Sequence, residues 1–293
     1  MKKFFTALLR READALGTFY LQGPGAKAIR KALPPLPLHG ARVDWKNVLV
    51  LAPHPDDEVL GAFLLLNRLR SQGAKITIAY VTDGDAYLAG AGDRRKEAEV
   101  SARRFNAEAI FLGLRDGGLA HTAGLGEKIA SLAAQVQPDA LLLPWPGESH
   151  PDHRALTRTA MSQPYLPATY LFYTTFSPLG PMGVGRVSFL MGSEEPVLDA
   201  LAGYGASINQ ESIYSFVVLR RALARAYLNN RAFWEPHLEV PARDLEKMEQ
   251  GLAAWPRIYP ALKKTRHWRR FTKELGALGR ALAAPVKGEG PDD

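Results

Sequence analysis

From residue 47 onward, short apolar runs alternate with amphipathic stretches. Residues 48–51 read as a buried strand, and a helix follows over about 58–71, closed by Gly73 as a C′ glycine. Residues 76–81 read as a second strand and 93–106 as a helix. The rhythm repeats with a strand at 109–112, a helix at 124–136 and a buried strand at 141–143 that Pro144 ends. This alternation predicts βαβ units and an α/β fold with a mostly parallel sheet flanked by helices. After Pro164 the pattern weakens. Residues 170–175 and 187–191 read as strands at the edge of the same sheet, and 196–204 and 219–229 as helices. Three segments follow: a helical extension and Pro-rich linker (1–44), a central domain (45–240), and a basic helical extension with a frayed tail (241–293).

Composition narrows the chemistry. The 293 residues are 46% hydrophobic and 23% charged, as in an ordinary globular protein. There is no cysteine, so thiolate metal sites are excluded and any metal must be held by His, Asp or Glu. The net charge of +7 comes largely from the two ends, Lys2, Lys3, Arg10 and Arg11, then Lys263, Lys264, Arg266, Arg269, Arg270 and Lys273. Such runs are usually solvated helix faces. They also suit peripheral contact with an anionic membrane through an amphipathic first segment (Phe4, Phe5, Leu8, Leu9). No nucleic-acid-binding motif accompanies the charge. The apolar run 4–9 is too short for a signal core, and no run is long enough to span a bilayer. The expectation is a cytoplasmic protein, membrane-peripheral at most, with homo-oligomerisation left open.

Two polar clusters stand out. His54-Pro55-Asp56-Asp57-Glu58 follows the first strand, and His150-Pro151-Asp152-His153 follows the strand at 141–143. Carboxylates crowded at a strand end repel one another unless a cation sits among them. A parallel sheet binds ligands beyond the carboxyl ends of its strands, so the two clusters can meet over one edge. His54, Asp57 and His153 would then supply two imidazoles and a carboxylate to a divalent metal. Asp56 and His150 remain beside it as base and acid. A lone His-Pro-Asp is a common capped turn, but two such clusters, each after an apolar strand, are hard to explain as turns.

Ala52-Pro53-His54-Pro55-Asp56-Asp57-Glu58, with Gly61, resembles the first signature of the PIG-L/LmbE-like zinc deacetylases. His150-Pro151-Asp152-His153 resembles their second. The likeness continues through Thr82-Asp83-Gly84, Arg94 with Glu97, Leu112-Gly113, Arg115-Asp116-Gly117, and Tyr204 with Ser207 and Gln210, covering roughly 45–235. It implies a Rossmann-like fold and zinc-dependent removal of an N-acetyl group from an N-acetylglucosamine-containing small molecule or glycolipid. By the same resemblance His54, Asp57 and His153 hold one zinc, and Asp56 is the general base. His150 stabilises the oxyanion or protonates the amine, and Asp152 orients His150. Arg94 and Asp116 match sugar-contacting positions. Glu58 begins the helix.

The chain also departs from that pattern. Glu148 stands where some members place an oxyanion-holding tyrosine, and is assigned to a substrate hydroxyl or cation, or to solvent. Asp85 stands near a position where the family often has Glu. Two alternatives stay open. One is an amidase acting on a different amide conjugate with the same residues. The other is a non-catalytic glycan- or membrane-binding protein with a relic site.

Overall fold

The computed structural model describes residues 39–40, 42–84, 93–164, 167, 169–175, 185–205, 208, 212–213, 216–217, 219–220, 233–252 and 273. The basic termini apart from Lys273, the Pro-rich linker, Asp85, Ser207, Gln210 and residues 221–229 of the helix expected at 219–229 lie outside these residues.

Among the described residues, eight strands form one sheet: β1 (His39–Gly40), β2 (Asn47–Ala52), β3 (Lys75–Thr82), β4 (Glu108–Leu114), β5 (Ala140–Pro144), β6 (Thr169–Tyr173), β7 (Arg186–Gly192) and β8 (Phe233–Pro241). Helices α1 (Asp57–Ser71), α2 (Arg94–Arg104), α3 (Leu125–Val136), α4 (Pro151–Met161), α5 (Glu195–Ala202) and α6 (Leu245–Leu252) flank or follow it. The strand order is β1-β7-β8-β6-β5-β2-β3-β4. All pairings are parallel except those of β8 with β6 and β7.

The apolar runs form strands because both sheet faces are covered. Along β2, Val48, Val50 and Ala52 join one core with Leu60, Phe63 and Leu66 of α1 and Ala98 and Ala102 of α2. Leu49 and Leu51 join the other with Ile129 and Leu132 of α3 and Leu156 of α4. Burial on both sides removes the polar alternation that a half-exposed strand would show. The mostly parallel α/β architecture expected from the sequence is the one observed.

β2 pairs with β3 on one flank and β5 on the other. The chain therefore winds outward in both directions from the β2/β5 boundary, which is the switch point where α/β sheets place ligands.

Four elements differ from the sequence pattern. β6 is internal rather than at an edge, and β7 is one strand in from β1. Residues 151–161, which follow the second cluster, form α4. β8 fills the gap between β6 and β7 although its sequence, FWEPHLEVP, carries Pro236 and three ionisable residues. Those residues are buried, and Glu235 is bound by the backbone of α1. No helix among the described residues is long and apolar enough to cross a membrane.

Candidate metal centre

Both clusters sit at the switch point. His54 to Glu58 carry the chain from β2 into α1. His150 is the N-cap of α4, with Pro151 in the first turn, a position that needs no N–H donor. His54 and His153 lie 99 residues apart in sequence, yet their rings face each other with centroids 5.3 Å apart.

Three atoms form a nearly equilateral triangle. His54 Nδ1 is 3.1 Å from Asp57 Oδ2, His153 Nε2 is 3.2 Å from that oxygen, and the two nitrogens are 3.3 Å apart. Bond lengths of about 2.0–2.2 Å around a tetrahedral zinc place its ligand atoms about 3.3–3.6 Å from one another, within a few tenths of an ångström of this triangle. The donor set and spacing therefore fit a zinc ion. Ring nitrogens of His54, His150 and His153 also lie within 4.8 Å of one another. The His150 and His54 rings meet edge to face at 4.7 Å.

The other side of His54 is equally ordered. Its Nε2 is 3.0 Å from Asp116 Oδ1 and 3.6 Å from Asp152 Oδ2. A carboxylate behind a ligating imidazole fixes its tautomer and orientation. Burial works against a charged His54, but Asp116, Asp152 and Asp57 outweigh it and raise its pKa well above the ordinary value. Asp57 is driven the other way. Burial resists its ionisation, and His153 and His54 overcome that and hold it low.

Asp56 has an unusual backbone. Its φ is 116° and its ψ −24°, a region that L-residues avoid. Two α1 amides hold it there, Val59 N–H at 3.0 Å and Leu60 N–H at 2.9 Å from the Asp56 carbonyl. The Glu58 carboxylate accepts the Asp56 N–H. Although Asp56 is the N-cap residue, its side chain does not cap the helix. Burial raises the Asp56 pKa well above the usual carboxylate range, and the charge of Asp57 adds to the effect.

Several expected residues take different partners. Asp152 does not reach the His150 ring with its carboxylate. That group accepts the Gly117 N–H at 2.6 Å and the Leu119 N–H at 3.1 Å, and faces His54. His150 is met instead by the Asp152 backbone N–H, which its Nδ1 accepts at 3.3 Å, leaving the ring proton on Nε2. Burial and the neighbouring His54 and His153 push the His150 pKa down to about 4, so the ring is neutral here rather than protonated.

Asp116 is buried against His54. Arg94 is half-buried, with Nη2 3.5 Å from the Pro55 carbonyl. Gly84, at φ +68°, makes room for it, because a Cβ there would meet the Arg94 guanidinium and the Pro55 ring.

Glu148 is not at the solvent surface: it is 1% exposed. Its two oxygens accept the Thr175 N–H at 2.8 Å and the Ser149 N–H at 3.3 Å. Arg154, a residue the sequence pattern did not single out, clasps the same loop by donating to the carbonyls of Glu148 and Ser149. Glu58 lies in the first turn of α1 as expected. It is fully buried, and its Oε1 accepts from Ser101 and from Tyr204.

Residues 49–163 match the family model described as PIG-L, GlcNAc-PI de-N-acetylase. A diacetylchitobiose deacetylase of Thermococcus kodakarensis is 32% identical over 123 residues, 38% of this chain and 46% of that protein, so the match spans about half of the relative's length. Among solved structures, the N,N′-diacetylchitobiose deacetylase of Pyrococcus horikoshii superposes with a TM-score of 0.57 at 22% identity, covering 84% of this chain and 94% of that one. A conserved protein of Thermus thermophilus gives 0.55 at 24% identity, over 66% and 93% of the two chains. A 4-carboxy-2-hydroxymuconate hydratase of Pseudomonas putida gives 0.51 at 18%, over 67% and 96%. One fold thus carries both hydrolases and a hydratase, and the chemistry must be argued from the site. Both signature clusters lie inside the segment that matches the PIG-L model, and the fold brings them together at one switch point.

Proposed function

We propose that the chain is a zinc-dependent N-deacetylase acting on an N-acetylglucosamine-type amino sugar. The observation that carries this reading is the triangle of His54 Nδ1, Asp57 Oδ2 and His153 Nε2, with Asp56 beside it and not engaged in capping. The deacetylase relatives of Thermococcus and Pyrococcus support the reaction class.

His54, Asp57 and His153 would hold the ion. Bound there, zinc supplies a Lewis acid and makes water acidic enough to attack at neutral pH. Asp116 and Asp152 keep His54 Nε2 engaged, so that Nδ1 would be the nitrogen offered to the ion. Asp56 removes a proton from the attacking water. Its burial makes the carboxylate more basic than an exposed aspartate, which suits it to the task. As the carbon–oxygen bond forms, charge builds on the acetyl oxygen, and the His150 Nε2–H donates to it. The carbon–nitrogen bond then breaks. The proton held by Asp56 passes to the departing nitrogen, leaving a free amine and acetate. Arg94, above Pro55, would receive substrate hydroxyls at the rim.

Metal analysis of zinc-reconstituted protein, together with acetate release from N-acetylglucosamine, N,N′-diacetylchitobiose and N-acetylglucosaminyl lipids, tests the reading. One zinc per chain and release from at least one of these substrates are expected. A chain that takes up no zinc sinks it.

A further inference from the structure

Helix α1, which begins at Asp57, is broken one turn later. Ala62 has φ −145° and ψ 20°, outside the helical region. Tyr173 packs its ring on Gly61 beside the break, where a Cβ would collide with it, and donates its hydroxyl to the Leu51 carbonyl at 3.0 Å. An unbroken helix would pair Leu64 N–H with the Leu60 carbonyl and Leu65 N–H with that of Gly61. Here side chains serve these groups. Glu235 of β8 accepts Leu64 N–H at 2.6 Å and Leu65 N–H at 2.8 Å. Arg220 donates to the Leu60 carbonyl at 3.1 Å and to Thr174.

Each charge meets the helix pole it stabilises. The cation lies at the carbonyl end of the first segment and the carboxylate at the amide end of the second. Arg220 and Glu235 are 0% and 1% exposed, and neither belongs to the metal triangle. Burying such charges is costly unless hydrogen bonds satisfy them, and the opened helix supplies those bonds.

We propose that Arg220 and Glu235 are positioning residues that hold the helix break open and thereby set the Asp57 turn to receive the ion. The break frees residues 57–61 from the axis of the rest of α1, so that Asp57 can point at His153 while the helix body packs on the sheet. This rests on the zinc reading given above.

The test measures zinc affinity by competition with a chromophoric chelator, with near-UV circular dichroism as the check on folding. At pH 9, above the value of about 8 to which burial raises Glu235, the side chain is a carboxylate, and Glu235→Gln keeps its shape but turns an amide donor toward one of the two α1 N–H groups. The variant's zinc affinity should fall roughly 10–100-fold, the range typical for partners that orient ligands. If the two charges served only to neutralise each other, the double variant Arg220→Met/Glu235→Leu would regain affinity; it should stay impaired. In the unaltered protein, deuterium exchange of peptides containing Leu64 and Leu65 should slow when zinc binds, because coupling between two sites is reciprocal.

Unchanged affinity in Glu235→Gln, recovery in the double variant, or zinc-independent exchange at Leu64 and Leu65 each overturns the inference. Failure of the unaltered chain to bind zinc would instead remove the proposed function itself.

Discussion

Asp116 Oδ1 stands 3.0 Å from His54 Nε2, on the opposite side of the ring from Asp57. The imidazole is thus clamped between a carboxylate behind it and the metal triangle in front. Asp116→Asn should leave the fold intact and weaken zinc binding by roughly 10–100-fold. Chelator competition reads this directly. A sugar-contacting role alone would raise KM and leave zinc affinity where it was.

Asp56 combines a strained backbone with a buried carboxylate that does not cap its helix. Asp56→Asn should keep zinc and lower kcat by about 10²–10⁴-fold, the typical worth of a general base. Asp56→Gly should be equally inactive yet more stable to heat when metal-free. Relief of about 1–3 kcal/mol of backbone strain exceeds the roughly 0.5–1 kcal/mol of extra chain entropy that glycine brings. A Gly variant that melts earlier than the parent would show that φ 116° is not a strained state here.

Glu148 is tied to two backbone amides, and Arg154 to two carbonyls of the same loop. Glu148→Gln leaves a buried N–H without its acceptor, at about 1–3 kcal/mol. Thermal melting should drop, and kcat should fall with KM little changed. A large rise in KM at unchanged melting temperature would return Glu148 to the substrate.

Burial raises the Glu235 pKa to about 8, against an ordinary 4.5. The folded state therefore holds this proton more tightly than the unfolded chain does. The stabilisation is fully present below the unfolded pKa and is lost as pH rises through about 8. A shift of this size corresponds to at most about 5 kcal/mol. Melting of the metal-free protein should decline from about pH 5 to pH 8 and level off above it, and Glu235→Gln should flatten that decline. Equal slopes in the two proteins would remove Glu235 as its source.

Gly61 leaves no room for a Cβ beneath Tyr173. Gly61→Ala should destabilise by about 1–3 kcal/mol through overpacking. Pairing it with Tyr173→Leu should recover part of that loss in a double-mutant cycle. Additive losses would mean that the ring does not impose the glycine.

The strands β2, β3 and β5 were legible because burial on both faces writes them as continuous apolar runs, such as Val48 to Leu51. The metal-centre residues were legible for a related reason, since polar clusters directly after such strands can only gather at the sheet's carboxyl edge. The identities of their partners were not. Asp152 adjoins His150 in sequence, yet its carboxylate turns to the 117–119 backbone and to His54, because the first turn of α4 carries it away from the His150 ring. β8 was hidden by Pro236, Glu235 and His237, which read against a central strand until the opened helix beside them is seen. Arg220 and Glu235 were hidden because the partners they take in α1 are backbone groups, which carry no sequence signal.

The meeting of β2 with β5 at the switch point also bears on the order of events during folding. His54 and His153 are brought together by a parallel pairing that skips over β3 and β4, and strand pairings between distant segments form slowly. The triangle cannot exist before that pairing closes. A metal held by these residues would therefore have no early site to nucleate, and its capture should trail assembly of the sheet, which makes the rate of metal uptake by refolding chains a clock for the completion of the β2–β5 crossover.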